Sequence, residues 1–552
     1  MASSASPVVP PMREPVTQVL GHFLGPHDVV VESPTGSGKT LAFGLPVLTM
    51  MRRHSDKTKS QWKPSEIGAL ILSPTRELAI QTGKVLEPFA AKLEFKLKTA
   101  IGGSKKPVDE LAAILKDGCN LLVATPGRLE QLLTLDTTQA LHRALKALLV
   151  LIIDEADRFT EAAFSQSITQ IMAAVPKQRR TGLFSATQAK EAEDLIKFPL
   201  HEPITIKLKE QEDTVCPTTL TNYYITSDAH LKMITLLEFI RSKPNEKIVV
   251  FLSSRHCVDY LVLIFPRLLK KRAIFGVHGQ NTEKRTVTLE KFRNSTNGVL
   301  LCTDVFSRGI DVPNIDWVVQ FDVPRTSSWF VHRAGRAGRC GREGFSLLML
   351  TPQETAFIQF VEKYEQVKLE ETHVKTVTEL KAEQLMEQMR KFAVHDRAVL
   401  NAGTRAFVSF IEAYKRHDCH IVCPLKDQDL VGLAHAYGLL RMPRMEELSA
   451  RTDLDKFKRS DVDTSKIKFL DEKREKMRLE KMGDKAVQKQ ERKKAAIEKK
   501  EKKAKKRKPT ATRSNATPNK KTKFADNDVD DRQMMRKMKG GRLGKKDLKA
   551  ID

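Results

Sequence analysis

A chain of 552 residues that is 41% hydrophobic can bury several cores, and its length allows about three or four domains. The net charge of +26 and a pI near 9.6 point to a polyanionic partner, nucleic acid first, although residues 451–552 alone hold 36 Lys+Arg against 18 Asp+Glu. Seven cysteines make no disulfide framework, the first residues lack a secretory pattern, and the apolar run Ala147 to Ile153 is too short to span a bilayer, so a soluble intracellular protein is expected.

The first apolar run, Val29-Val30-Val31, reads as a strand. Ser33-Pro34-Thr35-Gly36-Ser37-Gly38-Lys39-Thr40 follows it and Leu41 to Leu45 continues beyond, giving the strand, tight loop and helix start of a phosphate-binding loop. Backbone N–H groups over Thr35, Gly36, Ser37 and Gly38 would cradle phosphates. Lys39 would reach the β- and γ-phosphates, and the Thr40 hydroxyl would help hold Mg²⁺. Ser33 stands where the usual pattern has glycine, and a chance Gly-rich turn is the alternative reading.

Further apolar runs, Ala69–Leu72, Leu121–Ala124 and Leu148–Ile153, read as buried parallel strands. The amphipathic stretches 77–93 and 107–116 read as helices between them. This alternation from Asp28 to about Leu208 predicts a parallel α/β domain, whose ligand loops belong at the carboxyl ends of the strands. The short motifs fall there: Ser73-Pro74-Thr75-Arg76-Glu77-Leu78-Ala79, Thr125-Pro126-Gly127-Arg128, Asp154-Glu155-Ala156-Asp157 and, after Gly182-Leu183-Phe184, Ser185-Ala186-Thr187. Asp154 suits Mg²⁺ held largely through water, and Glu155 suits the general base that activates a water. An acidic quartet can equally cap a helix.

In combination these motifs resemble the DEAD-box RNA helicases of superfamily 2. The resemblance implies that Pro74, Thr75 and Arg76, the pair Gly102 and Gly103, and Thr125, Gly127 and Arg128 contact the RNA backbone. It also implies that Ser185 and Thr187 couple hydrolysis to strand separation. Short hydroxyl, glycine and arginine residues suit a grip on phosphate and ribose that reads no bases. One segment departs from the family. Its adenine-reading glutamine normally stands slightly farther upstream and follows an aromatic; Gln18 is the candidate here, with only 17 residues before it and no aromatic counterpart. The N-terminal segment therefore reads as truncated or divergent.

Residues 209–216 end at Pro217 and read as a linker. A second α/β rhythm follows, with strands expected at 248–252, 273–277, 298–302 and 317–321. Thr303-Asp304-Val305-Phe306-Ser307-Arg308-Gly309-Ile310-Asp311 resembles the family's fifth motif, which implies RNA contact by Thr303 and Arg308, as also by Gly279, and ribose contact by Asp311. His332-Arg333-Ala334-Gly335-Arg336-Ala337-Gly338-Arg339 matches the sixth motif, with Arg336 and Arg339 as arginine fingers. A solvated Arg/Gly loop is the plain alternative. ATP and RNA together would close the cleft between two RecA-like parallel-sheet domains, and hydrolysis would reopen it.

The organisation expected is 1–208 and 217–365 as the two motor domains, 366–450 as a small helical extension, and 451–552 as a basic, largely disordered tail. Helices are expected at 376–394, 396–415 and 427–437, and a single charged helix over 463–498. The stretches around Phe407, Phe410 and Tyr414 and around Leu433 to Arg444 resemble an extension shared by nucleolar DEAD-box proteins of large-subunit maturation. That resemblance implies pre-ribosomal RNA and pre-60S proteins as partners, a nucleolar address and action as a monomer. Arg405, Lys415 and Arg416 suit RNA, while the rings suit a packed core equally. Cys419 and Cys423 near His417 and His420 lack a second ligand pair at zinc-finger spacing. ATP and Mg²⁺ are the cofactors the motor motifs imply. The competing expectation is an RNA-binding assembly factor whose ATPase is weak because the adenine segment is incomplete.

Overall fold

A computed structural model of the protein describes residues 14–33, 38–103, 106–160, 162–185, 198–207, 219–279, 282–306, 312, 314–338, 342–419, 421–449 and 451–480. They divide into two units, the first drawn from residues 1–228, 235–376 and 410–428, the second from 229–234, 377–409 and 429–552.

The first unit contains two parallel sheets. In the N-terminal sheet the strands are β1 (Val29–Glu32), β2 (Ala69–Leu72), β3 (Leu97–Ala100), β4 (Leu121–Ala124), β5 (Val150–Asp154), β6 (Arg180–Ser185) and β7 (Ile204–Lys207), ordered β3-β4-β2-β5-β6-β1-β7. In the other they are β8 (Leu220–Thr226), β9 (Ile248–Phe251), β10 (Ile274–Val277), β11 (Val299–Cys302), β12 (Trp317–Gln320), β13 (Gly344–Leu350) and β14 (Glu370–Glu371), ordered β10-β11-β9-β12-β13-β8-β14. Subtracting seven from each strand number turns the second order into the first. The chain is two tandem RecA-like domains.

Helices cover both faces of each sheet, which is why the strands read as continuous apolar runs. In β2, Leu70 and Leu72 face one core while Ala69 and Ile71 face the other, and all four are fully buried. Each buried leucine or isoleucine there is worth about 1.5–3 kcal/mol. The register pairs Val31 with Phe184 and Glu32 with Ser185, so β1 and β6 end level with each other. Asp154 pairs with Phe184 on the other side of β6. Three motif-bearing loops therefore leave one sheet edge side by side.

Helix ends follow their capping chemistry. Thr75 caps Arg76–Lys92 by accepting from Leu78 N at 3.3 Å. The helix expected from residue 376 starts at Glu379, because Thr378 accepts from Lys381 N. The stretch 427–437 divides into a 3₁₀ turn, Leu425–Asp427, and the helix Leu430–Ala436, since Asp429 caps the second by accepting from Gly432 N at 2.8 Å.

The C-terminal third departs from expectation in three ways. The second sheet runs on to Glu371, past the boundary expected at 365, because β14 pairs with β8. The packed-core reading of Phe407, Phe410 and Tyr414 agrees with their burial, whereas Arg416 is exposed beside Glu412. Residues 451–470, assigned to the tail by their charge, instead fold back on the extension in the second unit. Arg390 donates to the carbonyls of Leu439 and Lys458 at 3.1 and 2.7 Å, and Arg397 to those of Thr464 and Ile467 at 2.9 and 3.1 Å. Phe457 stacks on His435 with centroids 5.0 Å apart. A helix begins only at residue 472, so the single helix over 463–498 does not form as expected: residues 463–471 are turns and irregular chain, held at Thr464 and Ile467 by Arg397. The rest of that stretch, from 481, lies outside the described residues.

Candidate nucleotide and RNA site

At the end of β1, Gly38 takes φ 96°, a left-handed conformation that costs glycine little, and caps the helix Lys39–Thr58. Lys39 Nζ donates to the Ser33 carbonyl at 2.7 Å. Burial lowers the Lys39 pKa; the carboxylates of Asp154, Glu155 and Asp157 oppose that shift, and Arg336, from the second domain, adds to it. At the end of β5, burial and then the adjacent Glu155 push the Asp154 carboxyl up to about 7, against the pull of Lys39. Glu155 itself holds φ 53°, rare for a residue with a side chain and typical of functional turns.

Three carboxyl groups crowded around one lysine suit a divalent cation, which would relieve their repulsion. A Mg²⁺ ion commonly takes one or two carboxylates and completes its shell with water and phosphate oxygens. The donor set thus fits a magnesium nucleotide, with Asp154 and Thr40 as the side chains available to hold the ion. Among the described residues no group of three or more His, Cys, Asp and Glu forms a cage that binds a metal by itself.

Asp157 joins the two sheets. Its Oδ1 accepts from Ser185 Oγ at 3.0 Å, and its Oδ2 lies 3.2 Å from His332 Nε2. Next to it, the Arg158 guanidinium lies 4.7 Å above the Trp329 ring. Arg333 does not reach across. It makes a bidentate pair with Asp304 at 2.6 and 2.9 Å and donates to the Asp322 carbonyl, locking the fifth and sixth motifs together. Arg336 is buried, with Nε donating to the His332 carbonyl at 3.3 Å.

A separate cleft of about 300 Å³ gathers Pro74, Arg76, Gly102, Thr125, Gly127 and Arg128, with Pro126, Gln131 and Phe164 completing its wall. Three sequence motifs thus share one cavity. Arg128 is buried, paired with Glu110 and bonded to Gln131 Oε1 at 3.0 Å. Burial, then Arg285 and, more weakly, Arg128, lower the Arg76 pKa, with Glu77 opposing. Arg285, from the second domain, also pairs with Glu77. With Arg128 paired to Glu110 and Arg285 to Glu77, Arg76 is the guanidinium of this cluster that suits a phosphate of an RNA backbone. The Thr75 hydroxyl accepts at the helix cap, Gly103 takes φ 110°, and Gly279 and Thr303 stand beyond β10 and β11 of the second sheet.

Gln18 lies on the helix Glu14–Phe23, whose Val19 and Phe23 are buried in the same core as Phe43 of the helix after the phosphate loop. The Gln18 side chain, and Thr35, Gly36, Ser37, Thr187, Arg308, Asp311 and Arg339, lie outside the described residues. Sequence reasoning assigned no role to Asp157, His332, Glu77 or Arg285. Asp157 and His332 stood inside recognised motifs; Glu77 and Arg285 are 208 positions apart and left no local signal.

The chain matches the family model for DEAD/DEAH box helicases over residues 15–195 and the helicase conserved C-terminal domain over 231–341. A DDX55 homolog from Caenorhabditis briggsae, named as an ATP-dependent RNA helicase, is 46% identical over 96% of this chain and 93% of its own length. The chain belongs to the DEAD-box family of ATP-dependent RNA helicases. The mouse ATP-dependent RNA helicase DDX55 is 40% identical over 85% of this DEAD-box chain and 78% of its own. A structure of the DEAD-box helicase Mss116 bound to ssRNA and UDP-BeF shares the fold, with a TM-score of 0.70 at 23% identity, covering 83% of this chain and 94% of that one. Residues 396–445 match the C-terminal extension of ATP-dependent rRNA helicase SPB4-like proteins. Among the described residues no helix is long and apolar enough to cross a membrane.

Proposed function

We propose that this DEAD-box helicase remodels pre-ribosomal RNA during large-subunit assembly, acting as a monomer in the nucleolus beside pre-60S proteins and using ATP with Mg²⁺. The rRNA assignment rests on the match of residues 396–445 to the SPB4-like extension. The motor assignment rests on one observation: Asp157 of the acidic quartet lies 3.2 Å from His332 of the arginine-bearing sixth motif, which brings the two motif sets together.

When bound, the magnesium nucleotide supplies the phosphoanhydride that is cleaved. Residues 35–38 and Lys39 hold its phosphates, Asp154 and Thr40 orient the ion through water, and Asp311 and Gln18 hold the ribose and base. Glu155 takes the proton of the attacking water. Arg336 and Arg339 place positive charge where negative charge builds up in the transition state. Pro74 to Arg76, Gly102, Gly103, Thr125, Gly127 and Arg128 grip one RNA backbone in the cleft, with Gly279, Thr303 and Arg308 from the second domain. Ser185 and Thr187, through the Asp157–His332 contact, tie the state of the phosphates to the position of the second domain.

The test is steady-state ATP hydrolysis with and without single-stranded RNA. RNA stimulation that disappears in Glu155→Gln, with ATP preferred over GTP, is the expected result. Retained RNA binding without mutant-sensitive hydrolysis would replace the motor with a passive assembly factor, and equal use of GTP would remove Gln18 from the site. Co-sedimentation with pre-60S rather than pre-40S particles tests the ribosomal assignment.

A further inference from the structure

Among the residues that wall the RNA cleft, Gln131 stands outside the recognised motifs. It lies on the helix Pro126–Leu135, four residues or about 6 Å of axial rise beyond Gly127. Residues four apart share a helix face. Gly127 and Gln131 are exposed, while Arg128, Leu129, Leu132 and Leu133 of the same helix are buried. The helix edge that presents Gly127 to a strand therefore presents Gln131 as well.

Glutamine is mostly a surface residue, and commonly does no more there than meet water. Two contacts set this one apart. Glu110, on the helix Pro107–Asp117 that follows the Gly102-Gly103 pair, pairs with Arg128 Nε, and both side chains are buried. Arg128 Nη1 in turn donates to Gln131 Oε1 at 3.0 Å. A guanidinium carries donors only, so the atom that faces it has to be the carboxamide oxygen, and Nε2 is turned away. The two N–H groups of Nε2 meet no partner among the described residues. The side chain is thus ordered before any strand arrives, which removes much of the rotamer entropy cost of using it. Its helix is steadied too: Ser167 Oγ, on the helix Ala162–Ala174, donates to Glu130 Oε2 at 2.5 Å. Arg76 supplies charge for a phosphate; Gln131 adds a neutral donor beside the half-buried Phe164 ring in the same cleft.

We propose that Gln131 is an RNA-contacting residue: with its oxygen held by Arg128, its Nε2 donates to an oxygen of the sugar-phosphate backbone lying in the cleft. Arg128 then aims Gln131, and Glu110 fixes Arg128. The inference rests on the RNA-binding reading of the cleft given above and adds to it a contact that carries no charge. The acceptor is a phosphate oxygen or a ribose 2′-hydroxyl. Both recur at every nucleotide of RNA, so the contact strengthens binding without reading sequence.

The experiment uses the full chain and reads the anisotropy of a labelled single-stranded RNA with a non-hydrolysable ATP analogue present. Gln131→Met keeps the length of the side chain and removes the donor. Gln131→Glu keeps an oxygen for Arg128 and also removes the donor. The Met variant should bind RNA about three- to tenfold more weakly, the scale of one hydrogen bond. Its thermal midpoint and its slope of log affinity against log salt should match the wild type, since the position is exposed and no charge is lost. The Glu variant should lose at least as much affinity. Wild-type affinity in the Met variant overturns the proposal. So does recovery in the Glu variant, which would leave Gln131 only the task of holding Arg128. RNAs carrying a single 2′-deoxynucleotide or a single methylphosphonate, walked along the strand, identify the acceptor. A substitution that weakens the wild type but not the Met variant marks the ribose hydroxyl in the first series or the phosphate oxygen in the second. Penalties equal in both proteins at every position overturn direct contact. Arg76→Ala separates this inference from the reading beneath it. Unchanged RNA affinity in Arg76→Ala refutes the cleft and this contact with it, whereas affinity lost in Arg76→Ala but kept in Gln131→Met refutes Gln131 alone.

Discussion

Gly102 and Gly127 line one cleft for opposite reasons. A Cβ on Gly102 would come within 3.2 Å of Arg76 Nη2, whereas one on Gly127 would meet nothing within 4 Å. Neither takes a positive φ, so each is about space rather than backbone freedom. At Gly102 the space belongs to Arg76; at Gly127 it lies open for a backbone to approach the helix N-terminus. Gly102→Ala should displace the guanidinium and weaken RNA binding several-fold in an anisotropy titration while leaving ATP affinity unchanged. Gly127→Ala should leave thermal stability intact and weaken RNA binding as well. Tight RNA binding by both variants would show that the cleft is not where RNA lies. The positions of Lys39, Asp154 and Arg76 at or beyond strand ends were legible because each follows an apolar run. Glu77 and Arg285 were not, because their meaning exists only when the two domains meet.

Among the elements, the strands that sequence pattern found are those written as unbroken apolar runs, the edge strand β10 among them. β3 and β7, also edge strands, escaped it because Leu97-Lys98-Thr99-Ala100 and Ile204-Thr205-Ile206-Lys207 alternate with polar residues. β13 was within reach, since Leu347-Leu348-Met349-Leu350 is a buried apolar run. The packed segment 451–470 was hidden for a different reason: its anchors are main-chain carbonyls, which carry no side-chain signature, and the arginines that hold them lie about seventy positions away. His435 makes this strap sensitive to acid. Lys458 N donates to its Nε2 at 3.2 Å, which requires a neutral ring. Burial, then Arg390 and Lys458, lower its pKa, with His230 adding and Asp429 opposing. The folded state therefore disfavours the proton. Its stabilisation is complete above the ordinary histidine value of about 6.5 and is lost as pH falls below that toward the lowered folded value. Proteolysis or hydrogen exchange of residues 451–470 should accelerate from about pH 6.5 downward, and His435→Phe should flatten that dependence. An equally steep profile in the variant would place the sensitivity elsewhere.

At the scale of the molecule, the two sheets meet through a few charged contacts: Glu77 with Arg285, Asp157 with His332, and Arg158 over Trp329. Glu77 and Arg285 are both largely buried, so breaking the pair leaves one charge stranded. A double-mutant cycle with Glu77→Gln and Arg285→Met, read as RNA affinity with a non-hydrolysable ATP analogue, should give about 1–3 kcal/mol of coupling. The same cycle without nucleotide should give almost none, because only the closed form joins the two residues. Coupling of equal size in both conditions would mean that the domains stay together throughout. The identical strand order of the sheets carries one more consequence. β8 occupies the place of β1, and the helix after it opens with Lys232 as the helix after β1 opens with Lys39. The turn before Lys232, Ser227-Asp228-Ala229-His230-Leu231, holds no glycine, and Lys232 is only 1% exposed. The repeated fold thus keeps a lysine at the helix start but buries it behind a turn without glycine, and calorimetric saturation should come at one nucleotide per chain, not two.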